Sequence, residues 1–253
     1  MPNFSSSHVT LVTGASTGIG RATALDFAAK KSQVAVHYNT SKEAAESVVQ
    51  AIEAGGGTAW LFQADLSKAA EARRLVAEVL QTCGRIDVLV NNAGSLIERK
   101  LFVEISDGLW QRVFDLNLGS AFWVTKAVAR HMIGRGSGVI INVSSIAARN
   151  GGGPGAIAYA SAKAAMTCMT KGLARELIEH GIRVNAVHPG VILTPFHERF
   201  STPEQMKGMV SKIPQGRAAK AEEISGAIVF LAGSEASHIV GEAIEINGGM
   251  LMD

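Results

Sequence analysis

The sequence predicts an α/β fold, with one doubly wound sheet of about seven parallel strands and helices on both faces. Two observations carry that expectation. Short runs rich in β-branched residues alternate with longer stretches of helical spacing, the rhythm of βαβ units. The runs IDVLV (86–90) and VIINV (139–143) are apolar nearly throughout, as strands covered on both faces must be. Composition agrees: 253 residues with only 18% charged side chains leave much to bury, against about 25% charged in an average domain.

In chain order, a strand at His8–Thr13 runs into a glycine turn and a helix over Gly20–Lys30. Strands at Gln33–Tyr38 and Thr58–Gln63 precede helices at Lys42–Ala54 and Ala69–Cys83. Ile86–Val90 leads to one long helix, Leu109–Met132, and Gly138–Val143 leads to Ile157–His180. Ile182–Val187 opens into an irregular stretch, Pro189–Gly216, holding four prolines with Phe196, Phe200, Met206 and Met209. Long excursions from compact domains are commonly functional, and this one is expected to be a substrate lid. A helix at Ala221–Ala232 and a strand at Ala243–Ile246 close the chain. No linker or repeat interrupts it, so residues 1–253 are expected to form a single domain.

Several classes are excluded. No run approaches the ~18 apolar residues of a membrane span. The start, MPNFSSSHVT, lacks the features of a secretory signal. Cys83 and Cys168 are too few for a disulfide framework, which points to a cytoplasmic location. A net charge of +2 without basic clusters argues against nucleic acid. His188 and His197 have no partner at metal-ligand spacing, so no metal is expected.

The first strand ends in Thr13-Gly14-Ala15-Ser16-Thr17-Gly18-Ile19-Gly20. Glycines between a strand and a helix let backbone N–H groups close around an anion. The same residues match the G-x-S-x-G of a nucleophile elbow, with Ser16 as nucleophile and His238 as a later partner. That reading lacks the preceding strands needed for an oxyanion hole. From Phe27 to Lys42 there is no acid to hold ribose hydroxyls, and the second strand ends in Tyr38, Asn39, Thr40 and Ser41. A 2′-phosphate meets no repelling carboxylate there, favouring NADP(H), with NAD(H) still allowed. Tyr159 and Lys163, four residues apart, share a helix face, where an ammonium would lower the tyrosine pKa. Asn142-Val143-Ser144-Ser145 places hydroxyls at a strand's carboxyl end, the usual ligand edge of such sheets.

Taken with Asn91-Asn92-Ala93-Gly94 and Pro189-Gly190, these motifs stand in the order found in the short-chain dehydrogenases/reductases, which the chain resembles over residues 8–250. The resemblance implies a Rossmann-type oxidoreductase acting on a small carbonyl or alcohol substrate. Tyr159 would be the general acid/base, and Lys163 would lower its pKa and hold ribose hydroxyls. Ser145 would bond the substrate oxygen, with Ser144 as the fallback, and Asn117 would place a water behind Lys163. Thirteen residues separate Ser145 from Tyr159, one more than in many members, and the Gly151–Gly155 cluster can absorb the extra one.

For the cofactor, the resemblance assigns the pyrophosphate to Gly14, Ser16, Gly18, Ile19 and Gly20, with Thr17 in the same turn. Asp65, beside Leu66, would bond the adenine, or else simply cap the next helix. Asn91, Ala93 and Gly94 would pass beneath the adenosine ribose. Pro189, Gly190, Ile192 and Thr194 would meet the nicotinamide. Thr17 and Asn39 stand where strongly NADP-preferring members often have Arg. Some members reduce 3-oxoacyl groups on acyl carrier protein, docking it on basic residues. Those places fall here near Gly136 and His180, with Arg135 one position off. The family commonly assembles as a homotetramer through its long helices. The competing class is a dinucleotide-binding protein without catalysis.

Overall fold

The computed structural model describes residues 4–252. Its strands are β1 (Val9–Val12), β2 (Gln33–Tyr38), β3 (Ala59–Gln63), β4 (Val88–Asn91), β5 (Gly138–Val143), β6 (Ile182–Pro189) and β7 (Ala243–Ile246). They form one sheet in the order β3-β2-β1-β4-β5-β6-β7, and every neighbouring pair is parallel. The order reverses between β1 and β4, which opens a crevice at their carboxyl ends.

Alternate residues of each central strand point to opposite faces, and both faces are apolar. Val12, Val90 and Ile141 pack with Phe27, Val48, Ile52, Ile224 and Ile228, from α1 (Gly18–Ala29), α2 (Lys42–Ala54) and a late helix over Ala221–Ala232. Their neighbours Leu11, Leu89 and Ile140 face the other way, onto Leu75, Val79, Val124, Val128 and Met132. Those side chains come from α3 (Ala69–Cys83) and a helix over Ser120–Arg135. Each fully buried Leu or Ile contributes roughly 1.5–3 kcal/mol, so these two layers hold the sheet that aims the site.

The long helix expected over Leu109–Met132 is two helices. Ser106 caps α4 (Asp107–Phe114), its Oγ accepting from the Leu109 amide at 3.2 Å. A wider π-turn, Asp115–Gly119, joins it to α5 (Ser120–Arg135). Asn117 sits in that turn, with Nδ2 donating to Val113 O at 2.9 Å and to Ser95 O at 2.8 Å. After a short α6 (Ala147–Asn150), α7 (Ile157–Leu177) ends in a single 3-10 turn, Ile178–His180.

The 189–216 stretch is not irregular throughout. It carries α8 (Pro195–Phe200) and α9 (Pro203–Val210), the latter started by a Thr202–Gln205 capping box. Leu193 N donates to Ala219 O, and Ala219 N to Val191 O, pinning the base of the excursion before α10 (Ala221–Ala232). Elsewhere, buried Asp87 accepts from Val9 N and pairs with Arg85 at 2.6 Å and Arg135 at 3.0 Å. That tie locks the start of β4 to β1 and to the end of α5.

Candidate active site

The glycine turn lies at the carboxyl end of β1. Gly14 and Gly18 have φ of +64° and +55°, a left-handed backbone that a side chain disfavours. At Gly20 the constraint is space, since a Cβ there would lie 2.3 Å from Gly14 O. Thr17, the N-cap of α1, makes no side-chain capping bond, and the first turn of α1 holds no acid. Its opening N–H groups therefore have no side-chain cap, and the partial positive charge of a helix N-terminus favours an anion there. Ser16, Thr17, Gly18 and Ile19 line the cavity into which this helix end faces.

Two residues not assigned from the sequence shape this turn. His37 Nδ1 accepts from Gly14 N at 3.0 Å, and its Nε2 lies 3.1 Å from Ala64 O, so Nε2 carries the proton. Burial pulls its pKa down to about 4. Asn92 Nδ2 donates to Thr13 O at 2.9 Å and Gly14 O at 3.0 Å, while its amide donates to Thr13 Oγ1. Both are polar residues at strand ends beside the turn, and that adjacency was the available signal.

The expected cofactor residues do not all reach the cavity. It is about 710 Å³ and is lined by Gly14, Ser16–Ile19, Asn39–Ser41, Leu66, Ala93, Gly94, Pro189, Gly190, Ile192 and Thr194. Gly20 stands behind the turn, and the Tyr38 side chain packs in the core. Asn91 is buried in the sheet, donating to Thr125 Oγ1 and Asn142 Oδ1, so it joins β4 to its neighbours. Asp65 accepts from the Ser67 amide and hydroxyl and pairs with Lys68 at 3.1 Å, which closes the turn before α3 without capping it, the N-cap being Lys68. Those interactions hold its carboxyl below its usual range, the Ser67 hydroxyl most of all.

Farther along the same cavity stand Ser145, Tyr159 and Lys163. The Ser145 hydroxyl neighbours the Tyr159 phenol and favours its ionised form, while also accepting from Ala147 N at 3.1 Å. Ser144 turns the other way, its Oγ donating to Lys163 O at 2.9 Å and meeting Thr167, so it holds α7 against β5. Lys163 Nζ donates to Val143 O at 2.7 Å and lies 5.7 Å from the Tyr159 ring centroid. A Cβ on Gly94 would fall 2.7 Å from Asn117 Oδ1 and 3.2 Å from Lys163 Nζ. Glycine at that position is what lets Asn117 sit close behind the lysine, outside the cavity wall.

The expected lowering of the Tyr159 pKa by Lys163 is not what this arrangement does. Burial pushes the phenol up to about 12, with the Ser145 hydroxyl acting in the opposite sense. Burial also pulls Lys163 down to about 7. Desolvation penalises both charged forms, and here it outweighs their mutual attraction. His197 lines the cavity, whereas His188 is buried behind it, with Nδ1 2.6 Å from Glu245 and Nε2 2.9 Å from Thr167. Phe196 on α8 covers Tyr159 at 5.7 Å between ring centroids.

Comparison with known proteins agrees with this geometry. A family model described as short chain dehydrogenase matches residues 8–205. The 3-oxoacyl-[acyl-carrier-protein] reductase of Synechocystis sp. is 43% identical over 246 residues, 96% of this chain and 97% of that protein. The 3-oxoacyl-[acyl-carrier-protein] reductase FabG of Thermotoga maritima is 40% identical over 245 residues, 96% of this chain and 98% of its own length. A solved 7 alpha-hydroxysteroid dehydrogenase, complexed with NADH and 7-oxo glycochenodeoxycholic acid, superposes with a TM-score of 0.92. It is 33% identical, covering 97% of this chain and 95% of that one.

Proposed function

The chain belongs to the short-chain dehydrogenase family, and from that premise we propose that it interconverts a ketone and a secondary alcohol with a nicotinamide cofactor. One observation carries the reading: a single cavity joins an uncapped helix N-terminus to the Ser145–Tyr159–Lys163 group. A protein that only binds dinucleotides has no use for that group.

When bound, the nicotinamide supplies a hydride to the carbonyl carbon or takes one from the carbinol carbon. The chain's own residues handle the oxygen and its proton. Ser145 donates a hydrogen bond to the substrate oxygen as charge develops there. Tyr159 gives its proton to that oxygen in reduction and removes it in oxidation. With burial raising its pKa to about 12, the Tyr159 phenol carries its proton at neutral pH and can serve as the donor in reduction. Lys163 can be charged or neutral near neutrality, and Asn117 would hold the water that exchanges its proton.

The helix end and the turn residues Gly14, Ser16, Thr17, Gly18 and Ile19 would hold the pyrophosphate. Asp65 would reach the adenine, and Ala93 and Gly94 would lie beneath the ribose. Pro189, Gly190, Ile192 and Thr194 would enclose the nicotinamide. Asn39, Thr40 and Ser41 offer hydroxyls and an amide without a carboxylate, which supports NADP(H) over NAD(H). The NADH in the hydroxysteroid dehydrogenase structure supports the other choice for that protein. Titration of cofactor fluorescence separates them, and NADH binding about tenfold tighter than NADPH, ~1.4 kcal/mol, overturns the NADP assignment.

The relatives' names favour a 3-oxoacyl thioester as substrate. A carrier would have to dock without Arg135, which is committed to Asp87 inside the chain. Exposed Trp110, Phe122 and Ile157 on α4, α5 and α7 support a homotetramer, which the solution mass would show. The free Cys83 and Cys168 thiols support a reducing, cytoplasmic setting, to be checked by fractionation. NADPH oxidation with acetoacetyl thioesters and simple ketones is the direct test. Tight cofactor binding without turnover of any carbonyl or alcohol would reduce the protein to a dinucleotide binder.

A further inference from the structure

The far end of the cavity is uneven in charge. Arg99, Arg199, Lys212 and His197 line it, and no aspartate or glutamate does so among the described residues. Arg99 is the most constrained of these. It is half-buried between the loop after β4, the 151–155 loop and α8. Its Nε donates to Phe200 O at 2.5 Å and its Nη1 to Pro154 O at 3.1 Å. Both acceptors are neutral carbonyls, and Nη2 has no protein acceptor among the described residues. The acids close to it in sequence or on the excursion do not compensate it. Glu98 pairs with Lys100 at 3.3 Å, and neither Glu198 nor Glu204 lines the cavity.

A guanidinium drawn partly out of water without a counter-ion is costly, and its missing partner is an anion. Its position relative to the proton donor follows from a chain of contacts. The Tyr159 ring meets Phe196 at 5.7 Å, Phe196 meets Phe200 at 5.2 Å, and the Phe200 carbonyl holds Arg99. A molecule with its carbonyl at Ser145 and Tyr159 would run along Phe196 toward that cation.

We propose that the substrate is a carbonyl compound bearing an anionic oxygen group, a carboxylate or a phosphate, which seats on Arg99 where α8 meets the 151–155 loop. This rests on the oxidoreductase reading and narrows its substrate class. The exposed Arg199 and Lys212 extend the positive field to the cavity mouth and would guide such a substrate inward. Burial and the Arg99 charge hold His197 below its ordinary pKa, leaving it a neutral hydrogen-bonding neighbour.

Matched pairs of carbonyl compounds test this with NADPH oxidation as the readout. The pairs are 4-oxopentanoate with its methyl ester, dihydroxyacetone phosphate with dihydroxyacetone, and acetoacetyl-CoA with its N-acetylcysteamine thioester. The first pair probes a free carboxylate, the second a phosphate on a small ketone, and the third a phosphate on a thioester carrier. In at least one pair, kcat/KM is expected to be about tenfold higher for the anionic member, the worth of one charge-assisted hydrogen bond. That ratio is expected to fall toward one in Arg99→Gln and to recover in part in Arg99→Lys. Equal turnover within every pair, or a ratio that survives Arg99→Gln, overturns the proposal. So does a loss of NADPH affinity in Arg99→Gln, which would assign the cation to the cofactor. If none of these compounds is turned over, calorimetry with 4-oxopentanoate on NADPH-loaded protein decides the anion site separately from the oxidoreductase reading. Binding weakened about tenfold by Arg99→Gln supports the site, and binding unchanged by that substitution or absent in both proteins refutes it.

Discussion

Acid should destabilise this protein through His37, before its carboxylates are involved. The His37 ring accepts from Gly14 N and donates toward Ala64 O, so it must be neutral to hold the glycine turn. Burial lowers its pKa from 6.5 to about 4. The unfolded chain therefore takes up this proton near pH 6.5 and the folded chain only near pH 4. The neutral imidazole's contribution is complete above pH 6.5 and is lost as pH falls to 4. At 1.36 kcal/mol for each pH unit, the loss amounts to about 3 kcal/mol. Asp87 lies outside this window. Burial alone would raise it, but Arg85, the Val9 amide and Arg135 together hold it below 3.8. Urea denaturation of the wild type and of His37→Asn, followed between pH 7 and 4, isolates the effect. The variant should be weaker at pH 7, since Gly14 N loses its acceptor at a cost of about 1–3 kcal/mol, and should lose about 3 kcal/mol less on acidification. Parallel losses in the two proteins would refute the coupling.

Two further substitutions probe the turn and the buried lysine. Gly20→Ala puts a Cβ 2.3 Å from Gly14 O and 2.4 Å from Asn92 Nδ2, so the turn must shift. Cofactor affinity by fluorescence should drop at least about tenfold, equivalent to ~1.4 kcal/mol, with the far-UV circular dichroism preserved. Lys163→Met should abolish turnover and stabilise the ligand-free protein below pH 7. Lowering the lysine pKa from 10.5 to about 7 costs the wild type about 5 kcal/mol there, a penalty that fades as pH rises to 10.5. The unpaired Val143 carbonyl returns about 1–3 kcal/mol of that gain. An equal effect at low and high pH in denaturation curves would contradict the desolvation argument.

The sheet was legible because doubly covered strands must be apolar on both faces, as Leu11 with Val12 and Ile140 with Ile141 are. The cavity-lining serine, tyrosine and lysine were legible for a related reason: a strand end and an i,i+4 pair on one helix face are local facts. Asp115–Gly119 was not legible. The sequence DLNLG contains no proline, a lone Gly119 is tolerated inside a helix, and the wider turn depends on Asn117 bonding back to Val113 and across to Ser95. His37, Asn92 and Arg99 escaped because each acts through a partner distant in sequence, at Gly14, Thr13 and Phe200. The tyrosine–lysine electrostatics were misjudged for want of burial, which only the folded chain supplies. The core packing of Tyr38 and the cross-strand bonds of Asn91 were illegible for the same reason.

Replacing the Tyr159 hydroxyl tests the central claim most directly. Tyr159→Phe keeps the ring that packs against Phe196 and removes only the atom that carries the proton. Cofactor affinity should stay within about twofold of the wild type, while kcat falls by a factor of roughly 10²–10⁴, the usual worth of a positioned acid or base. Wild-type turnover in that variant, measured with the best carbonyl substrate and NADPH, would contradict the proton-transfer role and the reading of the cavity built on it.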